Sequence, residues 1–239
     1  MAARSDPVTP WMRIAITLLY PVTMLLFRVR WLHAERIPRS GGAIIAVNHI
    51  SYADPIVFGR YIWDAGRAPR YLAKSSLFRA PWPVGAAVRG SGQIPVHRGA
   101  ADAAEALQAA VRALRDGQLV LIYPEGTVTR DPDFWPMQAK TGIARLALMV
   151  PEAPVIPVGQ WGAQECLDVY HKRFRPFPRK RVSVSTGEPV DLSDFAGQPP
   201  TREVLHAMTD RIMVAVRDQV AALRGEPAPD SFSRRPAST

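Results

Sequence analysis

The sequence contains a single cysteine, Cys166, among its 239 residues. One cysteine cannot form an internal disulfide, and without a Cys-x-x-Cys pair neither a zinc ribbon nor a dithiol redox centre is expected. The chain also lacks any G-x-S-x-G sequence, which disfavours a serine hydrolase with its nucleophile on a strand-to-helix turn. Cys166 itself is most simply explained as a small, partly buried residue.

Acidic residues are in short supply, because 21 Asp and Glu face 30 Lys and Arg, a net charge of +9. This excess predicts an anionic partner: nucleic acid, an anionic membrane surface or a phosphorylated substrate. Charge alone does not choose among them. The chain is 47% hydrophobic and 21% charged, so one sizeable globular domain is expected rather than disorder.

No apolar run is long enough to predict a simple transmembrane helix. Residues 14–27 carry no charge, but as a helix they would reach roughly 21 Å, short of the ~30 Å hydrocarbon core of a bilayer. Pro21 would kink or break that helix. We interpret residues 1–34 as a helical segment that lies in one leaflet, with aromatic side chains at headgroup level. The alternative is a buried helix of the domain core. No small-residue cleavage site follows, which disfavours a secretory signal peptide.

Short apolar runs alternate with helical patterns along the rest of the chain. This alternation predicts an α/β fold with a mostly parallel central sheet flanked by helices. We expect that domain over residues 35–224 and a disordered polar tail over residues 225–239. The predicted strands are AIIAV (43–47), RYLA (70–73), QIPV (93–96), QLVLIY (118–123), APVIPV (153–158) and VSVST (182–186). The predicted helices cover 55–65, 101–117, 142–150 and 201–223.

The segment NHISYADP (48–55) places His49 after a predicted strand and Asp54 at the start of a predicted helix. A carboxylate that bonds one imidazole nitrogen fixes the tautomer and leaves the other nitrogen as a base for a hydroxyl proton. No serine nucleophile accompanies the pair, so the hydroxyl would belong to the substrate. The spacing alone is weak, since chance gives roughly 0.3 such pairs in a chain of this composition. A core histidine beside an unrelated acid remains open on this observation.

Three further motifs follow in order: GQIPVHR (92–98), YPEGTVTR (123–130) and VIPVG (155–159). Pro124 and Gly126 predict a tight turn that exposes backbone N–H groups to a ligand. Together with Asn-His-x4-Asp, these motifs resemble the glycerolipid acyltransferase family, which includes the 1-acylglycerol-3-phosphate acyltransferases. The segment RYLAKSSLF (70–78) also resembles that family. The resemblance covers about residues 30–190.

The resemblance implies a reaction in which an acyl chain passes from a thioester to a lipid hydroxyl. His49 would act as general base, oriented by Asp54, and the hydroxyl would attack the thioester carbonyl without an acyl-enzyme. Backbone N–H groups of the 123–130 turn would stabilise the oxyanion. The family implies no metal and no cofactor, with acyl-CoA or acyl carrier protein as co-substrate. The expected reaction is acylation of lysophosphatidic acid to phosphatidic acid in phospholipid biosynthesis.

The same resemblance implies a set of substrate-binding residues. They are Lys74, Arg98, Glu125, Gly126, Thr127, Arg130 and Lys140. One departure bears on the acceptor: Val128 stands where the family usually has an arginine that binds the acceptor phosphate. We hypothesise that Arg130 takes over this role, with Arg98 or Lys140, because strand-like alternation would keep positions 128 and 130 on one side.

The run HKRFRPFPRKR (171–181) holds six Lys or Arg and two phenylalanines. It suits an anionic leaflet, nucleic acid, CoA phosphates or a solvated loop. We favour the leaflet and expect no nucleic-acid partner. The expected location is the cytoplasmic face of the cell membrane, as a monotopic or peripheral protein. Alternative functions are acylation of glycerol 3-phosphate, another lysophospholipid or a glycolipid, and a non-catalytic basic binding protein.

Overall fold

The structure, a computed structural model, describes residues 6–96, 100–168, 170 and 173–234, without the side chains of 100–103. Its described helices are α1 (Pro10–Leu26), α2 (Asp54–Asp64), α3 (Ser75–Phe78), α4 (Val84–Gly90), α5 (Ala100–Arg115), α6 (Gly142–Met149) and α7 (Arg202–Arg224). Its described strands are β1 (Phe27–Leu32), β2 (Ala43–Val47), β3 (Leu72–Lys74), β4 (Ile94–Val96), β5 (Leu119–Ile122), β6 (Val155–Trp161), β7 (Leu167–Asp168), β8 (Arg173–Phe174) and β9 (Lys180–Thr186).

The central sheet has five strands in the order β1-β9-β6-β2-β5. Every neighbouring pair is parallel except β6 with β9. The predicted α/β fold with a mostly parallel sheet is therefore confirmed. Strands β3 and β4 form a separate parallel pair, and β7 and β8 form a short antiparallel hairpin.

The core lies on both faces of this sheet, because every residue of β2 is buried. Ile44 and Ala46 pack in the cluster that includes α5, α6 and α7. Ile45 packs in the opposite cluster, which includes α2. Since side chains alternate along a strand, a continuous apolar run is what a strand covered on both faces requires. The carboxyl ends of β2 and β5 then meet at one edge, where ligands collect in open α/β sheets.

The N-terminal segment differs from the prediction at residues 27–32. The structure has one continuous helix, α1, which includes Pro21, and then the edge strand β1, which pairs in parallel with β9. The expectation that residues 1–34 are helical is therefore wrong for β1. Its sequence FRVRWL alternates apolar and basic residues, which is the period of a half-buried strand. No helix in the described ranges is both long enough and apolar enough to cross a bilayer.

A buried ion pair fixes the chain ahead of α1. The guanidinium of Arg67, which is fully buried, donates to both carboxylate oxygens of Asp6 at 2.7 and 2.8 Å. It also donates to the carbonyl oxygens of Pro38, Gly41 and Gly117. Because these bonds satisfy the buried charges, residue 6 is tied to the α/β domain.

The predicted disordered tail also needs correction. Helix α7 ends at Arg224 and is followed by Gly225, whose φ of 67° is the left-handed conformation usual after a helix. The chain then returns to the domain, where Ser233 accepts a bond from the N–H of Gln138 at 3.1 Å and donates its hydroxyl to Asp131. Disorder therefore does not describe residues 225–234. Residues 235–239 of the predicted tail lie outside the described residues.

Candidate active site

Asn48 fixes the chain where β2 ends. Its side-chain amide donates to the carbonyl of Gln160 at 3.0 Å and accepts the N–H of Gln160 at 2.8 Å. The side chain of Gln160 in turn donates to the carbonyl of Asn48 at 3.0 Å. Both residues are fully buried. These reciprocal bonds hold the backbone immediately before His49. The sequence analysis did not identify Gln160, in β6, as the partner of Asn48.

His49 and Asp54 are in contact, as their spacing suggested. Nδ1 of His49 lies 2.8 Å from Oδ2 of Asp54. The same oxygen accepts the N–H groups of Ile50 at 2.6 Å and Ser51 at 2.8 Å. The loop therefore curls around the carboxylate, and Asp54, the first residue of α2, faces back to the ring. With Nδ1 engaged, Nε2 is the imidazole nitrogen left to exchange a proton with a substrate.

The environment of Asp54 is dry. Its side chain is fully buried, while that of His49 is 13% exposed. Burial raises the pKa of Asp54, and the hydrogen bond and charge of His49 and the two backbone N–H groups oppose that rise. Oδ1 of Asp54 has no hydrogen-bond partner in the part of the chain that is described. The three bonds that Oδ2 accepts lower the pKa of Asp54 against the larger effect of burial, and an ionised Asp54 would stabilise a protonated imidazole.

Tyr123, which follows β5, covers one face of the imidazole. The rings of His49 and Tyr123 stack with centroids 4.2 Å apart and planes 23° from parallel. Tyr71 lies behind Tyr123, at 6.2 Å between centroids and 11° between planes. Burial raises the pKa of Tyr123 well above its usual value. The neutral ring therefore limits rotation of His49 without adding a charge.

Glu125 holds the backbone of His49 rather than its ring. Its carboxylate is fully buried, with Oε1 accepting the N–H of His49 at 3.0 Å and Oε2 accepting that of Met137 at 2.9 Å. Burial raises the pKa of Glu125 to about 8, against the lowering effect of these two donors. The family resemblance implies an acceptor-binding role for Glu125, which stays a prediction. The side chain points inward, where it satisfies two backbone N–H groups that would otherwise be buried unpaired.

The predicted turn is formed by Gly126, at a φ of 72°. Its N–H donates to the carbonyl of Tyr123 at 2.9 Å, so this group is not an available oxyanion donor. Gly126 and Thr127 are both exposed. Lys140 lies over the turn, since a Cβ added at Gly126 would be 3.3 Å from its Nζ. The turn thus brings a basic side chain next to the predicted acceptor residues.

The alternation expected for positions 128 and 130 is wrong. Val128 is 5% exposed, whereas Arg130 is exposed. The chain is not a strand here, because the N–H of Thr129 donates to the carbonyl of His49 at 2.7 Å and its hydroxyl donates to Trp135. Arg130 therefore does not occupy the environment of Val128, although it is one residue from a direct contact with His49.

Two predicted substrate-binding residues remain, Lys74 and Arg98. Lys74 is exposed at the end of β3, where its register partner in β4 is Val96. Arg98 lies outside the described residues. The structure therefore brings His49, Asp54 and Glu125 together at one sheet edge and leaves Lys74 on the β3–β4 pair.

Sequence reasoning also missed an aromatic loop beside the site. Phe134 has a φ of 60°, held by Asp131, whose Oδ1 accepts two N–H groups of the loop. The ring of Phe134 packs edge-on against Trp161 and Tyr170. Asp-Pro and Asp-Phe in the sequence DPDFW were the available turn signals.

Residues 28–161 match the family model described as Acyltransferase. The chain is 26% identical over 193 residues to a 1-acyl-sn-glycerol-3-phosphate acyltransferase of Bacillus subtilis, covering 80% of this chain and 87% of that protein. It is 36% identical over 101 residues to the protein of that name from Borreliella burgdorferi, covering 42% and 39% respectively. The crystal structure of the lysophosphatidic acid acyltransferase PlsC from Thermotoga maritima superposes with a TM-score of 0.63 at 23% identity, over 91% of this chain and 81% of that one.

Proposed function

The chain belongs to the acyltransferase family, and on that premise we propose that it acylates lysophosphatidic acid to phosphatidic acid with acyl-CoA as donor. The observation that carries the proposal is the 2.8 Å contact between Nδ1 of His49 and Oδ2 of Asp54. The similarity to the Bacillus subtilis 1-acyl-sn-glycerol-3-phosphate acyltransferase over 80% of the chain supports this choice of acceptor.

His49 is the general base of the proposed reaction. Its Nε2 removes the proton of the acceptor hydroxyl as the oxygen attacks the thioester carbonyl. The resulting C–O bond gives a tetrahedral oxyanion, and its collapse breaks the C–S bond. The proton on Nε2 then passes to the departing thiolate, so the products are the new ester and free CoA. Asp54 stabilises the imidazolium between these two steps.

The contacts that hold His49 support this assignment. Asn48 and Glu125 fix the backbone at and before the base, and Tyr123 covers one face of its ring. An imidazole held in this way is ready for proton transfer without reorganising, which lowers the barrier of the chemical step.

Arg130 and Lys140 are the proposed contacts for the acceptor phosphate. Both are exposed, and Thr129 and Gly126 connect them to the site. If they bind the phosphate, Arg130→Gln and Lys140→Gln should each raise the KM for lysophosphatidic acid about tenfold while kcat changes little. An unchanged KM in both variants would contradict this assignment.

The first experiment is thiol release from palmitoyl-CoA by detergent-purified protein. Lysophosphatidic acid, glycerol 3-phosphate and a neutral lysolipid are supplied as separate acceptors. We expect release with lysophosphatidic acid, lost in His49→Ala and kept in His206→Ala, which removes an exposed histidine of α7. Release with another acceptor alone would reject lysophosphatidic acid as the substrate. No release with any acceptor would contradict acyl-CoA as the donor.

A further inference from the structure

Arg224, the last residue of α7, is held between two tryptophan rings close to the candidate site. Its guanidinium carbon lies 4.1 Å from the ring centroid of Trp135 and 4.3 Å from that of Trp161. The side chain is only 10% exposed. Trp161 is the last residue of β6, and Trp135 belongs to residues 131–138, which we call the aromatic loop. A cation desolvated between aromatic faces is strongly attracted to them, so Arg224 joins the end of α7 to both elements.

The polar atoms of Arg224 are engaged as well. Nη1 donates to the carbonyl of Asp133 in the aromatic loop at 2.6 Å. Nε and Nη2 donate to Oε2 of Glu226 at 3.0 and 2.6 Å. Because one planar guanidinium bonds both the aromatic loop and the chain after α7, it fixes the direction in which that chain leaves the helix.

The chain after α7 lies back against the domain, and we call residues 226–233 the strap. Arg217 of α7 donates to the carbonyl of Pro229 at 2.6 Å, and its guanidinium carbon lies 5.2 Å from the ring centroid of Phe232. Two arginines of α7 therefore hold the strap, Arg224 at its start and Arg217 near its end.

Ser233 attaches the end of the strap to both ends of the aromatic loop. Its hydroxyl donates to Oδ2 of Asp131, and its carbonyl accepts the N–H of Gln138 at 3.1 Å. It also forms a parallel bridge with Met137. The other oxygen of Asp131, Oδ1, accepts two N–H groups of the loop. The strap therefore ties the first and last residues of the aromatic loop to each other.

The aromatic loop is bonded to the backbone of His49 by two routes. The hydroxyl of Thr129 donates to the carbonyl of Trp135 at 2.7 Å, and its N–H donates to the carbonyl of His49 at 2.7 Å. The N–H of Met137 donates to Glu125, whose other oxygen accepts the N–H of His49. A shift of the aromatic loop would therefore reach both the carbonyl and the N–H of His49.

Arg130, the proposed contact of the acceptor phosphate, depends on the same loop. Its N–H donates to Sδ of Met137 at 3.1 Å. Its neighbours Thr129 and Asp131 are buried, whereas its own side chain is exposed. The bonds of the backbone, rather than packing of the side chain, therefore set the point from which the guanidinium extends.

We propose that Arg224 and Ser233 are positioning residues for the acceptor. By holding the aromatic loop, they set the distance between Arg130 and the imidazole of His49. Neither residue touches the substrate in this role. A loosened loop would admit the acceptor in several poses, of which only some place its hydroxyl at Nε2. The inference rests on the proposed function, because the phosphate contact of Arg130 belongs to it.

A positioning role differs in its kinetics from a role in stability alone. A variant that only increases the unfolded fraction lowers the apparent kcat, because less enzyme is active, and leaves each KM unchanged. A misplaced Arg130 instead weakens binding of the acceptor. The positioning role therefore predicts a raised KM for lysophosphatidic acid with an unchanged KM for acyl-CoA.

The kinetic test compares Arg224→Gln with Arg202→Gln, a matched control that removes an exposed arginine of the same helix. Arg224→Gln should raise the KM for lysophosphatidic acid about fivefold, and the control should not. Arg224→Lys keeps a cation between the rings but loses the planar fork, so its KM should be intermediate. Ser233→Ala removes one bond to the loop and should raise this KM about twofold. Ile212→Val, in the buried core of α7, is the destabilised reference and should leave each KM unchanged.

Hydrogen exchange provides a measurement that needs no activity. Opening of the aromatic loop exposes its amides to exchange, and the contact of Arg224 with two rings opposes that opening. In Arg224→Gln, the amides of residues 129–137 should exchange about tenfold faster than in Arg202→Gln.

Three results would overturn the positioning role. One is equal exchange of residues 129–137 in Arg224→Gln and Arg202→Gln. Another is an equal KM for lysophosphatidic acid in these two variants. The third is the same rise of KM in Ile212→Val, which would mean that any loss of stability has this effect. If the wild-type chain releases no thiol with lysophosphatidic acid but Arg224→Gln still accelerates exchange, the proposed function is rejected and the hold of Arg224 on the aromatic loop is supported.

Discussion

Two buried carboxylates from different regions of the molecule hold His49, and they act on different parts of it. Asp54, the first residue of α2, ends the loop that begins at His49 and contacts the ring at Nδ1. Glu125 comes from the turn after β5 and contacts the backbone N–H. Both are fully buried, and burial raises the pKa of both. The contrast indicates that one acid serves the chemistry of the imidazole while the other serves its position.

The largest fall in kcat is expected when Asp54, which contacts the imidazole ring of His49, is replaced. Asp54→Ala should lower kcat on the order of 10⁴-fold, because the tautomer and the charge that stabilises imidazolium are both lost. Asp54→Asn keeps an oxygen for the three hydrogen bonds and loses only the charge, so a loss on the order of 10³-fold is expected. Thiol release at saturating substrate measures both.

The double variant His49→Ala, Asp54→Ala provides the control. Residues that act as one unit are not additive, so the pair should be no slower than His49→Ala alone. A kcat for Asp54→Ala within tenfold of wild type would remove Asp54 from the proposed mechanism.

A smaller fall in kcat is expected when Glu125, which holds the backbone N–H of His49, is replaced. Above pH 8 Glu125 is ionised and both of its oxygens accept an N–H. Under these conditions Glu125→Gln keeps the size of the side chain but sets an amide NH₂ against one of the two N–H donors, which displaces His49 or Met137. Misplacement of a reacting group by about 1 Å costs on the order of 10²-fold in rate. We therefore expect kcat to fall on the order of 10²-fold. Glu152→Gln, at an exposed glutamate, is the matched control, and equal kinetics in the two variants would refute a positioning role.

Stability should depend on pH through the same residue. The pKa of Glu125 is about 8 in the folded chain against an ordinary value of 4.5. Between these values the folded state binds more protons than the unfolded state, so stability falls as pH rises from about 4.5 to about 8 and then levels. One proton contributes a slope of about 1.4 kcal/mol per pH unit. Glu125→Gln should flatten the curve in urea unfolding, and an unaltered slope would mean that another group carries it.

The smallest effect concerns the ring that covers His49. The hydroxyl of Tyr123 is buried with no hydrogen-bond partner in the described residues. Tyr123→Phe removes this uncompensated polar group and keeps the stacked ring, so stability should rise by about 1 kcal/mol and kcat should stay within about twofold. Tyr123→Ala, which loses the ring, should be slower; equal rates for the two variants would show that stacking does not position His49.

Local signals predicted the parts of the site that lie close together in the chain. The run AIIAV and the spacing of His49 and Asp54 gave the buried strand and the ring contact, because a strand end and a helix start five residues apart leave few arrangements. Sequence reasoning could not find the partner of Asn48, which is 112 residues away. Nor could it orient Glu125, since only the packed fold shows which backbone N–H groups lack a partner.

The missed strand β1 teaches a different lesson. Strand β1 follows the apolar helix α1 without a break, so hydrophobicity alone does not separate the two elements. The alternation of Arg28 and Arg30 with Val29 and Trp31 was a visible strand signal. The tail shows the opposite case: its polar composition predicts disorder, while single contacts such as that of Ser233 with Asp131 hold it to the domain.

The bond between Arg67 and Asp6 has a mechanical consequence for the N-terminal helix. Helix α1 is fastened ahead of its first turn by this ion pair and beyond its last turn by β1, an edge strand of the sheet that carries His49. A helix attached at one end can rotate relative to the domain, whereas a helix attached at both ends cannot. Helix α1 and the sheet edge that carries His49 are therefore expected to move as one body.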